Sequence, residues 1–243
     1  MRASGAAYKN INRALGKALH DYDMIREGDR IAVGLSGGAD SLTLLWLLTE
    51  RRPRIRVHYD LHAIYVDPGF ESGAADALNP FCERLGIPLR VEWTDYGLQG
   101  HSPSNRESPC FLCARLRRKR LFEVADELGC GTLALGHNKD DVIETLFLNM
   151  CYAGEISTMR PEQELFKGRF RLIRPLAYAE SGLIRRFARE FNLPVTANPC
   201  PSAERSQRAE IKALLADLYR RNGKIKGNIF RALRHVRTDY LLK

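Results

Sequence analysis

Apolar residues recur along this chain with two periods, and the switches between them mark out elements. From Ala7 to Tyr22, the residues Tyr8, Ile11, Leu15 and Leu19 fall at helical spacing, which predicts an amphipathic helix. Arg30 to Leu35 is a short apolar run closing on Ser-Gly-Gly and reads as a buried strand. Leu42, Leu44, Leu45, Leu47 and Leu48 continue it as a mostly buried helix. A second strand, Leu61 to Val66, stops at the turn signal Asp67-Pro68-Gly69. A helix over 74–85 then leads to a strand over 89–93. A helix over 115–128 leads to a strand over 132–135, and 141–152 is helical again. Beyond Arg171 the pattern is mainly helical and more basic.

Strands alternating with helices of this length predict parallel βαβ units, hence an α/β fold with a doubly wound, mostly parallel sheet. Ligands in such sheets sit outside the carboxyl ends of the strands. The loops after Leu35, Val66 and Leu135 are therefore expected on one face. The organisation expected is an N-terminal helix (1–28), a nucleotide-binding α/β domain (29–178) and a basic helical C-terminal region (179–243).

Composition sharpens this only in part. With 243 residues and 44% hydrophobic content the chain suits one substantial core, and neither a disordered nor a fibrous class. Its apolar runs are too short and too charged to span a membrane. Met1 to His20 lacks the compact apolar segment of a signal peptide, so a cytoplasmic location is expected. The net charge of +9 suits a polyanionic partner, although ordinary solubility charge explains it equally well. Basic residues cluster at 115–120, at Arg185-Arg186 and from Arg220 to Arg237, on separate predicted helices. Six cysteines in such a setting are not expected to form disulfides. Cys82, Cys130 and Cys151 lie in apolar contexts and are expected in the core. Cys110, Cys113 and Cys200 sit beside prolines and polar residues.

Ser36-Gly37-Gly38-Ala39-Asp40-Ser41 lies between a strand and a helix. Its glycines let backbone N–H groups converge on phosphate oxygens, Ser36 and Ser41 add hydroxyls, and Asp40 can cap the helix or hold Mg²⁺. The plainer alternative is a Gly-rich turn with an N-cap. Gly136-His137-Asn138-Lys139-Asp140-Asp141 also joins a strand to a helix. Its carboxylates can bind Mg²⁺ or move protons, and they can equally cap the helix. Cys110 and Cys113, spaced Cys-x-x-Cys at a helix start, read as half a zinc site, a redox pair or part of an iron–sulfur cluster. Cys200 is the other well-placed thiol, and no histidine lies close in sequence to complete a zinc tetrad.

The Ser-Gly-Gly-x-Asp-Ser loop resembles that of the PP-loop ATP pyrophosphatases, which have an adenine nucleotide alpha hydrolase-like fold. These enzymes adenylate a carbonyl oxygen and let a nucleophile displace AMP. The resemblance implies that Ser36, Gly37, Gly38, Asp40 and Ser41 hold pyrophosphate with Mg²⁺, and that Val66 and Gly136 flank the adenosine. Four further segments extend it: Cys-x-x-Cys-x-x-x-Arg ending at Arg117, the 136–141 loop, Leu146 to Met150, and Ile173-Arg174-Pro175-Leu176. Together they are similar to the tRNA 2-thiocytidine synthetase family over most of the chain. That family implies ATP, Mg²⁺ and a [4Fe-4S] cluster held by Cys110, Cys113 and Cys200, with one iron free to carry sulfide. One departure is Ala197, where family members often have another cysteine. The zinc-finger cysteines of the related 2-thiouridine enzymes are absent, which favours the cytidine branch.

The expected reaction is adenylation of a tRNA base at its C2 carbonyl oxygen, followed by sulfur transfer, most simply at cytidine 32 of the anticodon loop. Asp140 or Asp141 would manage metal or protons and Arg117 would stabilise developing charge. The expected partners are tRNA, ATP and a sulfur donor such as sulfide or a cysteine desulfurase, with no membrane; the reading allows a homodimer. Three alternatives stand beside it. One is thiolation of a uridine, another a PP-loop ligase using a nitrogen nucleophile, and the third a non-catalytic iron–sulfur RNA-binding module.

Overall fold

The computed structural model describes residues 5–70, 73–202 and 206–241. Met1, named above, lies outside them. Six strands form one sheet in the order β3-β2-β1-β4-β6-β5. The strands are β1 (Asp29–Leu35), β2 (Tyr59–Asp67), β3 (Leu89–Trp93), β4 (Thr132–Leu135), β5 (Glu162–Leu165) and β6 (Phe170–Ile173). All neighbours run parallel except β5, which is antiparallel to β6. The doubly wound, mostly parallel sheet expected from the sequence is therefore present.

Period-two alternation decides which residue faces which layer. Ile31, Val33, Leu35, Ala63 and Tyr65 point into a large cluster with α1 (Ala6–Asp21), α2 (Ala39–Arg51), α3 (Ala74–Leu85) and α7 (Ser181–Glu190). Ala32, Ile64 and Val66 point the other way, onto Phe122, Val124 and Ala125 of α5 (Pro109–Glu127). The short α4 (Tyr96–Gly100) precedes α5. A smaller cluster of Ile143, Ile211 and Leu215 joins α6 (Lys139–Leu148) to α8 (Gln207–Arg221), with Ile229 and Phe230 of α9 (Ile225–Ala232) packed against it.

Two features depart from the sequence pattern. The β5–β6 hairpin was not signalled, because 162–173 is rich in charge and one charged residue, Arg171, falls at a position that becomes buried. Arg171 is buried and ion-paired to Asp29, while Phe170 and Leu172 enter the core. The expectation that Cys151 is a core thiol is wrong. Cys82 and Cys130 are buried as expected, but Cys151 is exposed. It lies in a π-helical turn, Asn149–Ala153, which widens the helix and carries the residue off the buried face. Every cysteine is free. Among the described residues no helix is long and apolar enough to cross a membrane.

Candidate active site

The order of strands reverses between β1 and β4, and their carboxyl ends open a crevice there. A cavity of about 270 Å³ fills it, lined by Ser36, Asp40, Ser41, Arg117, Arg118, Gly136, His137 and Asp141, among others. A larger cavity of about 540 Å³ lies at the amino ends of β1 and β2, lined by Gly28, Asp29, His58 and Tyr59, and holds none of these groups.

The loop at 36–41 is tied internally. Ser41 Oγ accepts from Ser36 N at 3.1 Å and donates to Gly38 O at 3.1 Å, and the two serine hydroxyls are 3.2 Å apart. Gly37 has φ +77°, a conformation that disfavours side chains, and a Cβ there would overlap Thr196 Oγ1. Gly38 then caps α2, whose N-terminus faces the cavity. Gly136 has a packing reason of its own: a Cβ would lie 2.8 Å from Ser41 N, so β4 meets the start of α2 only through glycine. Val66 is buried in the core beneath the site, and its side chain does not line the cavity. The Asp67-Pro68-Gly69 loop opens instead onto a separate cavity of about 480 Å³ beside Phe70 and Trp93.

The acidic loop separates its neighbours. Asn138 caps α6, with its Oδ1 accepting from Asp140 N at 2.8 Å and Asp141 N at 3.3 Å. Asp141 Oδ2 accepts from Asn138 N at 2.9 Å, completing a capping box. Asp141 faces the cavity with Asp40, whose Oδ1 accepts from Asn138 Nδ2 at 3.1 Å. Burial, and then the Asp141 charge, push the Asp40 carboxyl up to about 6. Burial raises Asp141 as well, opposed by its bond from Asn138 N and by Arg208. A pair of hard oxygen donors beside a phosphate loop fits Mg²⁺. Asp140 turns away. It accepts from Lys226 Nζ at 2.7 Å and from Ser181 N at 2.9 Å, and these partners outweigh burial to hold it below the usual carboxylate range.

The three polar-context cysteines meet at the other end. Cys110 lies in the first turn of α5, after Ser108 and Pro109, and Cys113 begins the second. The segment carrying Cys200 is drawn over the phosphate loop by Thr196 N donating to Gly37 O at 3.0 Å. Ser202 Oγ lies 3.4 Å from both Cys110 Sγ and Cys200 Sγ, and 3.1 Å from His101 Nε2. Burial pushes the Cys113 thiol up, with Cys200 and Cys110 adding to it, while Arg117 opposes. Among the described residues no three His, Cys, Asp or Glu side chains are arranged to hold a metal ion. Cys110 and Cys200 are thus neighbours around a hydroxyl, with Cys113 near them, rather than a closed site. Their chemistry still fits an iron–sulfur cluster: three soft donors beside the cation of Arg117, with His101 the nearest other donor, held by Ser202. Arg117 also lines the nucleotide cavity, and its buried Nε has no hydrogen-bond partner among the described residues.

A family model described as a PP-loop domain matches residues 7–218. A tRNA-cytidine(32) 2-sulfurtransferase from Geobacter sulfurreducens is 40% identical, covering 97% of this chain and 93% of the relative. The chain belongs to the PP-loop family and groups with these sulfurtransferases. Another so named, from Polynucleobacter asymbioticus, is 36% identical over 96% of this chain and 78% of its own. Among solved structures, the U34-tRNA thiolase NcsA from Methanococcus maripaludis with its [4Fe-4S] cluster superposes with a TM-score of 0.79. It is 28% identical, covering 97% of this chain and 81% of that one. An NH3-dependent NAD synthetase from Campylobacter jejuni, at TM-score 0.53 and 14% identity, shares the fold.

In this PP-loop chain, His137, Arg118, Thr196, His101 and Ser202 also belong to the site without a sequence signal that marks them. His137 and Arg118 were quoted within motifs but given no role, although both line the cavity. His101 and Ser202 are far apart in sequence, and no local spacing announces their contact.

Proposed function

We propose that this chain is a tRNA sulfurtransferase that uses ATP to convert a cytidine of the anticodon loop, position 32, to 2-thiocytidine. One observation carries the reading: Arg117 lines the nucleotide cavity and also stands beside Cys113, so activation and sulfur delivery share a wall. The backbone of 36–41 and the N-terminus of α2 hold the phosphates, and Asp40 with Asp141 would hold Mg²⁺, which neutralises phosphate charge when bound. The C2 carbonyl oxygen of a base swung out of its stack attacks the α-phosphorus, and pyrophosphate leaves. Sulfide then adds at C2, the C2–O bond breaks, and the oxygen departs with AMP. Arg117 offsets the negative charge that develops between these events. A [4Fe-4S] cluster on Cys110, Cys113 and Cys200 would supply the sulfur nucleophile.

The basic C-terminal region, 179–243, tracks tRNA phosphates in this reading, and the α/β part binds the nucleotide. The sulfur donor is sulfide or a cysteine desulfurase, the compartment is the cytoplasm, and a homodimer is the assembly to test. The likeness to a U34-tRNA thiolase keeps uridine as the second reading of the target base. Protein purified without oxygen and incubated with unmodified tRNA, ATP and sulfide should yield 2-thiocytidine by nucleoside mass spectrometry. 2-Thiouridine in its place would move the assignment to uridine, and no thionucleoside at all would overturn it.

A further inference from the structure

Arg174 and His137 have no part in the reaction as described. Arg174 follows β6, which pairs in parallel with β4 (Ala134 opposite Ile173), so it sits at the carboxyl edge beside His137. The guanidinium is buried, and among the described residues it makes no ion pair with a carboxylate. Instead it donates from Nη1 to Arg160 O and from Nε to His137 Nδ1 at 3.2 Å. Burial, with Arg118 adding, brings Arg174 down to about 10, so it remains a donor at neutral pH.

A guanidinium only donates, so the nitrogen it meets must accept and carries no proton. Burial, and then the charges of Arg174, Arg208 and Arg118, hold His137 down to about 3, so the ring is neutral. Its one proton is therefore on Nε2. That nitrogen has no hydrogen-bond partner among the described residues and is not sealed from the cavity that the ring lines with Ser36, Ser41 and Asp141.

We propose that Arg174 is a positioning residue that fixes the Nε2–H tautomer of His137. His137 Nε2–H then donates to a non-bridging oxygen of the α-phosphate as the base oxygen attacks. The proposal rests on the ATP-dependent reading above. A neutral donor suits this place, because it strengthens its hold as negative charge builds at phosphorus and needs no proton transfer. The guanidinium charges of Arg174, Arg208 and Arg118 around the buried ring disfavour its protonated form.

Two measurements on the full chain test it. Long-range ¹H–¹⁵N spectra of ¹⁵N-histidine protein, assigned with His137→Gln, should show His137 as the Nε2–H tautomer, unchanged between pH 5.5 and 8.5. An Nδ1–H tautomer, or titration in that range, would overturn the role of Arg174. In Arg174→Met the ring should lose the single tautomer. Pyrophosphate release with ATP and tRNA is the second readout. His137→Gln keeps an N–H near the Nε2 position and should hold kcat within roughly tenfold. His137→Asn places its amide near Nδ1 and should lower kcat by about 10²-fold, with KM for ATP little changed. Equal losses in the Gln and Asn variants, or a change confined to KM, would overturn the phosphate contact. If the wild-type chain releases no pyrophosphate with tRNA, the ATP reading and the phosphate contact fall together. The tautomer spectrum still decides the pairing of Arg174 with His137.

Discussion

At the nucleotide end of the cavity, six consecutive residues leading into a helix N-terminus form the phosphate loop, with Ser36, Gly38 and Ser41 tied to one another and Asp40 to Asn138. At the thiol end, donors from α5 and from the loop before α8 meet around Ser202 without forming a metal-holding set. The first end is completed by folding the α/β core. The second is only brought near completion, and binding of the metal group must supply the rest of its order. The two are coupled through Arg117, which lines both, and through a backbone bond, Thr196 N to Gly37 O, because the stretch of chain crossing the phosphate loop also carries Cys200.

Paired substitutions break this comparison most sharply. Cys200→Ala should abolish thiolation and lower iron content, yet leave ATP- and tRNA-dependent pyrophosphate release in place. Gly37→Ala forces a Cβ onto a backbone at φ +77° and against Thr196, and should cut pyrophosphate release by about 10²-fold or more. Its effect on iron content should be smaller, transmitted through Thr196. If Cys200→Ala stops pyrophosphate release as completely as Gly37→Ala does, the two ends are not separable.

A smaller effect sharpens the nucleotide side. The folded carboxyl of Asp40 titrates at about 6, above its unfolded value, so the folded state holds this proton more tightly. Its contribution to stability is then greatest below about pH 4 and is lost as pH rises through about 6. A shift of this size corresponds to roughly 2–3 kcal/mol. In metal-free protein, Asp40→Asn should remove that slope and raise the melting temperature at neutral pH, while pyrophosphate release is lost. Unfolding curves for the two proteins between pH 4 and 8 would decide it; parallel curves would show that Asp40 carries no buried charge.

What was legible in the sequence followed the same division. The loop at 36–41, the strands around it and the crevice at their ends depend on residues adjacent in sequence, so spacing and periodicity revealed them. The cysteines were legible as types, but their convergence depends on how the segment after α7 crosses Gly37, which no local pattern encodes. Cys151 was misread because a π-helical turn breaks the 3.6-residue period on which the expectation relied. The β5–β6 hairpin was hidden because Arg171 is buried through an ion pair to Asp29 rather than through hydrophobicity. His137 stayed silent because its role depends on Arg174, just beyond a strand that only the sheet brings alongside.

The smallest expected effect separates the adjacent aspartates, which sequence alone left with interchangeable roles. Asp141 shares the cavity with Asp40, whereas Asp140 is held by Lys226 of α9 and by Ser181 N at the start of α7. Asp141→Asn should therefore lose pyrophosphate release much as Asp40→Asn does. Asp140→Asn should retain most of it when tRNA is saturating. Its loss falls on the docking of α9, where a partly buried ion pair of this kind contributes about 1–3 kcal/mol when one partner is removed. Faster amide hydrogen exchange confined to α9 and the end of α8, with weaker tRNA affinity, would be the signature. A variant in which exchange is unchanged and pyrophosphate release is lost would put Asp140 at the nucleotide after all, and the acidic pair would then have to be assigned to both ends of α6 docking and catalysis together.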